Sequence, residues 1–151
     1  MDRVIASWFG TGLILGKLRG DDIGSGTVGA LFTFPIAYWT GREYGWVGLA
    51  AVTVVVIGLS VWSTGRLSGT EGDAGWIVVD EAAGTMLAIV GLSLGPALVA
   101  FVVFRLADIF KTRFPGVSTA EQISGGWGIT ADDLVAGVYG LTAGLLVQAL
   151  L

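Results

Sequence analysis

Three clusters of charged side chains stand at the ends of long apolar runs, and their residue types suit the chemistry of phosphate. Asp132 and Asp133 follow Gly125-Gly126-Trp127-Gly128-Ile129-Thr130-Ala131 and head the last apolar run, Leu134 to Leu151. Asp80 and Glu81 interrupt the run from Trp76 to Leu94, about one turn from its start. Arg105, Asp108 and Lys111 are spaced i, i+3, i+6, so they follow one face of a helix. Adjacent acids desolvated at a membrane surface repel each other unless a cation neutralises them or water reaches them. Five acids can hold a hard divalent ion through oxygen, while Arg and Lys grip phosphoryl oxygens.

Each cluster also has a plainer reading. Acids in the first turn of a helix are ordinary N-terminal caps, which would serve for Asp132-Asp133 and for Asp80-Glu81. The Arg105–Asp108–Lys111 series reads equally as an ion ladder anchoring a helix end. Gly24-Ser-Gly-Thr-Val-Gly29 allows a backbone to approach a ligand and offers the Thr27 hydroxyl, or it is a turn with an N-cap at Ser25 or Thr27.

Composition narrows the chemistry. Cysteine and histidine are both absent, which removes disulfides, thiol nucleophiles, zinc-thiolate sites, phosphohistidine and the usual general base. A metal must then be bound by oxygen, which favours Mg²⁺, Mn²⁺ or Ca²⁺. Apolar residues make up 54% of the 151 residues and charged residues only 13%, about half the usual share for a soluble domain. With a mean hydropathy of +0.80, the chain reads as one integral membrane domain over 1–151. No cleavable signal peptide is evident.

The elements that must position these residues follow from the apolar runs. Val4 to Leu15 is too short to span and is expected to lie in the interface or re-enter the bundle, with Trp8 at headgroup depth. Helices are expected at 26–40, 46–64, 76–94, 96–112 and 131–150, the third and fourth forming a hairpin bent at Gly95-Pro96. The fold class is therefore all-α: a polytopic bundle of about five membrane helices. Gly137, Gly140 and Gly144 mark a small-residue packing face on the last helix. Lys17, Arg19, Arg66, Arg105, Lys111 and Arg113 collect at one end and Arg42 at the other, which makes the crowded end cytoplasmic. Every acid cluster shares that end.

In this order and spacing the sequence resembles the phosphatidylglycerophosphatase A family. The matching pieces are Gly26-Thr27-x-Gly29, Trp76-Ile77-Val78-Val79-Asp80-Glu81-x-x-Gly84, Phe104-Arg105-x-x-Asp108-Ile109-x-Lys111, and Gly125-Gly126-x-Gly128-Ile129-x-x-Asp132-Asp133-x-x-Ala136-Gly137. The chain departs from that pattern at Ser25 and Thr112, where the family usually carries proline, and at Ser124, where it often carries histidine.

The resemblance implies an enzyme of the bacterial inner membrane. It would remove the terminal phosphate of phosphatidylglycerophosphate, giving phosphatidylglycerol, with Mg²⁺ as cofactor and its active site facing the cytoplasm. Asp80, Glu81, Asp108, Asp132 and Asp133 would be the metal-site acids. Arg105, Lys111 and Thr27 would contact the substrate phosphate, and Lys111 would count with the acids as catalytic. Direct attack by water and an aspartyl-phosphate on Asp80 both stay open. Partners would be the phospholipid substrate and membrane lipids, with no nucleic acid and with room for a homo-oligomer. The rival reading is a small cation transporter or channel using the same carboxylates. Such a path needs polar residues at both ends, and the opposite end offers little beyond Arg42 and Glu43.

Overall fold

The computed structural model describes residues 1–72 and 74–151; Asp73, in the loop expected over 66–75, lies outside the described residues. Seven α-helices follow in order: α1 (Asp2–Ala6), α2 (Ile14–Arg19), α3 (Ser25–Leu67), α4 (Val79–Ala88), α5 (Leu94–Ile109), α6 (Val117–Ala120) and α7 (Gly126–Leu150). Short 3₁₀ turns at Thr11–Leu13 and Lys111–Arg113 precede α2 and α6. No strand occurs among the described residues.

At 43 residues, a straight α3 would be roughly 65 Å long. It is instead folded double at Gly45, whose φ of 70° and ψ of 178° belong to a region open only to glycine. Gly41 then lies against the Leu49 side chain. Gly26, at the start of α3, packs on Glu81, while Thr64, near its end, donates to the Gly126 carbonyl of α7 at 3.3 Å. Both ends of α3 thus reach the end of the bundle that carries the acids. The expected helices 26–40 and 46–64 are these two arms, and the expected loop 41–45 shrinks to one residue.

Other boundaries differ from the expectation. The helix expected over 76–94 is the ten-residue α4, because Trp76 to Val78 are non-helical and Gly91, with φ 75°, turns the chain before α5. The bend therefore falls before Ser93, the N-cap of α5, and Pro96 sits in the first turn of α5, where its missing N–H costs nothing. The last helix starts at Gly126, five residues before its expected start. The N-terminal segment is broken by positive φ at Trp8, Phe9 and Gly10 and packs inward: the Val78 N–H donates to the Ala6 carbonyl at 2.9 Å. Trp8 is buried against the rest of the protein, at 7% exposure.

Among the described residues two helices are long and apolar enough to cross a membrane, α3 and α7. The sequence suggested about five spans. Two of them are the arms of α3, divided at Gly45, while α4 and α5, at roughly 15 and 24 Å, are shorter than a hydrocarbon core of about 30 Å. Exposed side chains such as Leu31, Phe32, Val54, Val55, Val102 and Leu146 give these helices apolar exteriors that point to association with a membrane.

The glycine face expected on α7 is used as a seam. Gly137 meets the Gly84 backbone of α4, Gly140 meets Ala88, Ala100 and Phe104, and Gly144 meets Leu92 and the Pro96 carbonyl. Interhelical hydroxyl contacts add to it, with Ser60 and Thr130 at 2.7 Å. An added Cβ at Gly84 would sit 2.6 Å from Phe104 and 2.8 Å from the Asp133 carbonyl. Gly84→Ala is therefore expected to destabilise by about 1–3 kcal/mol through overpacking. Gly58→Ala, with nothing within 4 Å, should raise stability by up to about 1 kcal/mol. Thermal unfolding in detergent checks both signs.

Candidate active site

Asp80 and Glu81 occupy the first turn of α4, where a helix favours negative charge. That helix starts where it does because Val78 is pinned to Ala6 and the Ala82 N–H then bonds back to the Val78 carbonyl at 3.1 Å. The Glu81 backbone N–H donates to Asp80 Oδ1 at 3.1 Å. Asp133 arrives from α7, more than one turn beyond its start. The structure brings one carboxylate oxygen from each of Asp80, Glu81 and Asp133 within 4.8 Å of one another. Asp80 and Asp133 are buried, at 4% and 3% exposure. Although neighbouring helical residues differ by about 100°, Asp80 and Glu81 both join the cluster. Gly26 makes room for this, since a side chain there would run into the Glu81 carboxylate.

Carboxylates this close repel one another when charged, and the burial of Asp80 and Asp133 strengthens the repulsion. Glu81 Oε2 and Asp133 Oδ1 are buried with no hydrogen-bond partner in the protein. An all-oxygen donor set with unpartnered lone pairs fits a hard divalent cation such as Mg²⁺.

The two remaining predicted acids, Asp108 and Asp132, are each paired with a cation, and Asp132 Oδ1 is also buried without a hydrogen-bond partner. Asp108 Oδ2 pairs with Arg105 Nη1 at 2.8 Å, and Arg105 Nη2 donates to Thr27 Oγ1 at 3.2 Å. Lys111 Nζ donates to Asp132 Oδ2 at 2.6 Å and to Glu121 Oε1 at 3.1 Å. Partial burial works against the Lys111 charge, but the bonds from Asp132 and Glu121 outweigh it and raise its pKa above the ordinary lysine value. It therefore carries its proton at every physiological pH. Lys111 does not continue the helical face of Arg105 and Asp108 as expected. Helix α5 ends at Ile109, and Phe110 turns the chain so that the following 3₁₀ turn delivers Lys111 to Asp132.

The plainer cap readings fail for two clusters. No acid lies in the first turn of α7, so Asp132 and Asp133 are not its caps. The N-cap of α3 is Gly24 with φ 88°, and neither Ser25 nor Thr27 caps it. Sequence reasoning missed Glu121, a lone acid in a polar segment with no spacing to flag it. It also missed the buried, unpartnered hydroxyls of Ser25 and Thr85.

A family model described as phosphatidylglycerophosphatase A matches residues 4–148. The chain is 31% identical over 149 residues to the phosphatidylglycerophosphatase A of Escherichia coli, covering 95% of this chain and 80% of that protein. It is 30% identical over 115 residues to a putative phosphatidylinositol-3-phosphatase of Bacteroides thetaiotaomicron, covering 72% of this chain and 66% of that protein. With the phosphatidylglycerophosphatase A of Haemophilus influenzae it shares 38% identity over 79 residues, 50% of this chain and 48% of that protein. No solved structure matches the chain.

The Lys111–Asp132 contact can be weighed by a double-mutant cycle with Lys111→Met and Asp132→Asn. Thermal unfolding should give a coupling of about 0.5–3 kcal/mol. The exposed Arg3–Glu71 pair, treated the same way, should couple by less than about 1 kcal/mol.

Proposed function

The chain belongs to the phosphatidylglycerophosphatase A family, whose name denotes phosphoric monoester hydrolases, and on that footing we propose that it hydrolyses phosphatidylglycerophosphate to phosphatidylglycerol and phosphate with Mg²⁺. The observation that carries this reading is the meeting of Asp80, Glu81 and Asp133 beside two paired cations, Arg105 and Lys111. Asp80, Glu81 and Asp133 would hold the cation. Bound there, a divalent ion neutralises phosphate charge and lowers the pKa of a coordinated water.

The chain's own residues do the rest. Arg105 and Lys111 present N–H donors to the phosphoryl oxygens and stabilise the charge that gathers on them in the transition state. Asp108 and Asp132 keep those two side chains in place, which removes the need to order them when substrate arrives. Thr27, bonded to Arg105 Nη2, fixes the guanidinium from a second side. Burial keeps the local dielectric low, so each of these contacts is stronger than in water.

A lipid substrate suits the surroundings. Asp132 lies on the same face of α7 as Val135, Tyr139, Thr142 and Leu146, by the three- and four-residue helical repeat. Those residues, with Val103 of α5, line an apolar groove of about 510 Å³ that can lie along an acyl chain while the headgroup meets the cations. Lys17, Arg19, Arg66, Lys111 and Arg113 at the acid end, against Arg42 at the other, favour a cytoplasmic site in a bacterial inner membrane. Family membership favours the hydrolase over the cation-transporter reading.

The test is phosphate release by the purified chain from phosphatidylglycerophosphate, with phosphatidylinositol 3-phosphate in a parallel arm. Activity should need Mg²⁺, vanish in EDTA and return on adding the ion. Asp80→Asn and Asp133→Asn should each lower it by at least about a hundredfold, the loss expected when a residue of the catalytic unit is removed. Full activity in EDTA would defeat the metal role, and faster release from the inositol lipid would reassign the substrate.

A further inference from the structure

Every other buried helical threonine in the described residues has a hydrogen-bond partner, Thr130 in the Ser60 hydroxyl, and Thr85 has none. Thr33, Thr53 and Thr64 each donate to the carbonyl four residues back, at 2.7, 2.8 and 2.7 Å. Thr85 is equally buried, at 0% exposure, and stands four residues beyond Glu81 in α4. Its hydroxyl does not take the bond to the Glu81 carbonyl that this pattern offers, and it has no other partner in the protein. A buried hydroxyl left without a partner costs on the order of 1–3 kcal/mol, so its retention calls for a compensating role.

A second hydroxyl stands in the same condition. Ser25, at 0% exposure, has an unpartnered Oγ in the first turn of α3, and the next residue is Gly26, which packs on the Glu81 carboxylate. Glu81 thus has one buried donor with nothing to donate to on its own helix and another on the helix packed against it, and its own Oε2 is a buried acceptor with no donor. Thr85 lies on the face of α4 that carries Glu81, one turn along. Donors and acceptor have matching needs and adjoin one cation-binding cluster.

We propose that Thr85 and Ser25 are positioning residues for Glu81. Their hydroxyls hold, directly or through one ordered water, the carboxylate oxygen that turns toward the cation. Residues that orient metal ligands in this way set the ligand's angle and basicity, and losing one weakens metal binding by about 10- to 100-fold. This rests on the reading of Asp80, Glu81 and Asp133 as the cation site.

The experiment is a titration of the purified full chain in detergent with Mn²⁺, followed by the loss of the free-ion electron paramagnetic resonance signal. Thr85→Val and Ser25→Ala should each weaken Mn²⁺ binding by about tenfold or more, and Thr85→Ser should restore it. In EDTA their melting temperatures should equal or exceed that of the wild type, because neither hydroxyl has a partner to lose. Wild-type Mn²⁺ affinity in Thr85→Val and Ser25→Ala would overturn the proposal, as would a Thr85→Ser chain as weak as Thr85→Val. A wild-type chain that binds no Mn²⁺ defeats the cation reading itself, a failure distinct from wild-type binding that the variants leave unchanged.

Discussion

Three carboxylates gathered in a buried spot are the constraint around which this fold is arranged. Asp80, Glu81 and Asp133 repel one another when charged, and no hydrogen bond in the protein quiets Glu81 Oε2 or Asp133 Oδ1. Where no cation neutralises them, such an arrangement is held by packing of the helices that carry the acids. The glycine seam supplies that packing. Gly84 and Gly137 let α4 and α7 approach until backbone meets backbone, directly beside Asp80 and Asp133. Close packing and charge concentration are therefore two faces of one contact: the seam that binds the helices also forces their acids together.

The other two acids of the region show how adjacent residues acquire separate tasks. Asp132 and Asp133 differ by one position, hence by about 100° around α7. That angle sends Asp132 to Lys111 and Asp133 to the α4 acids. Asp108 likewise stays with Arg105. The site thus divides into Asp80, Glu81 and Asp133, gathered around one point, and Asp108 and Asp132, each paired with a positive side chain. A phosphomonoester needs both, since it carries negative charge to be neutralised and oxygens to be oriented.

Much of this was legible from residue types alone. Charged residues are so few, at 13% of the chain, that Asp80-Glu81, Arg105–Lys111 and Asp132-Asp133 stood out against apolar runs, and their order matched a known family. Gly137, Gly140 and Gly144 were visible as a packing face for the same reason. The division of labour among the acids was not legible, because it depends on helix phase and on where α5 ends. The two arms of α3 were legible as helices 26–40 and 46–64, but not the shrinking of their loop to Gly45, one of 25 glycines that nothing local distinguishes. The early start of α7 escaped notice because Gly125-Gly126-Trp127-Gly128 has poor intrinsic helix propensity. Close packing of Gly126 on Val61 and Gly65 overrides that propensity.

The doubling of α3 matters to the site more than its distance from the acids suggests. Its first arm begins at the Glu81 carboxylate and its second ends against Gly126, one short stretch before Asp132 and Asp133. One covalent segment therefore touches both acid-bearing helices at the same end of the bundle, while its turn at Gly45 lies at the other end. If the two arms were free to splay at Gly45, the contacts at Gly26 and Gly126 would open together, and α4 and α7 would lose a common support. The interarm turn is thus best placed far from the chemistry, where glycine's freedom costs the site nothing. The restraint is applied where carboxylates must be kept close against their own repulsion.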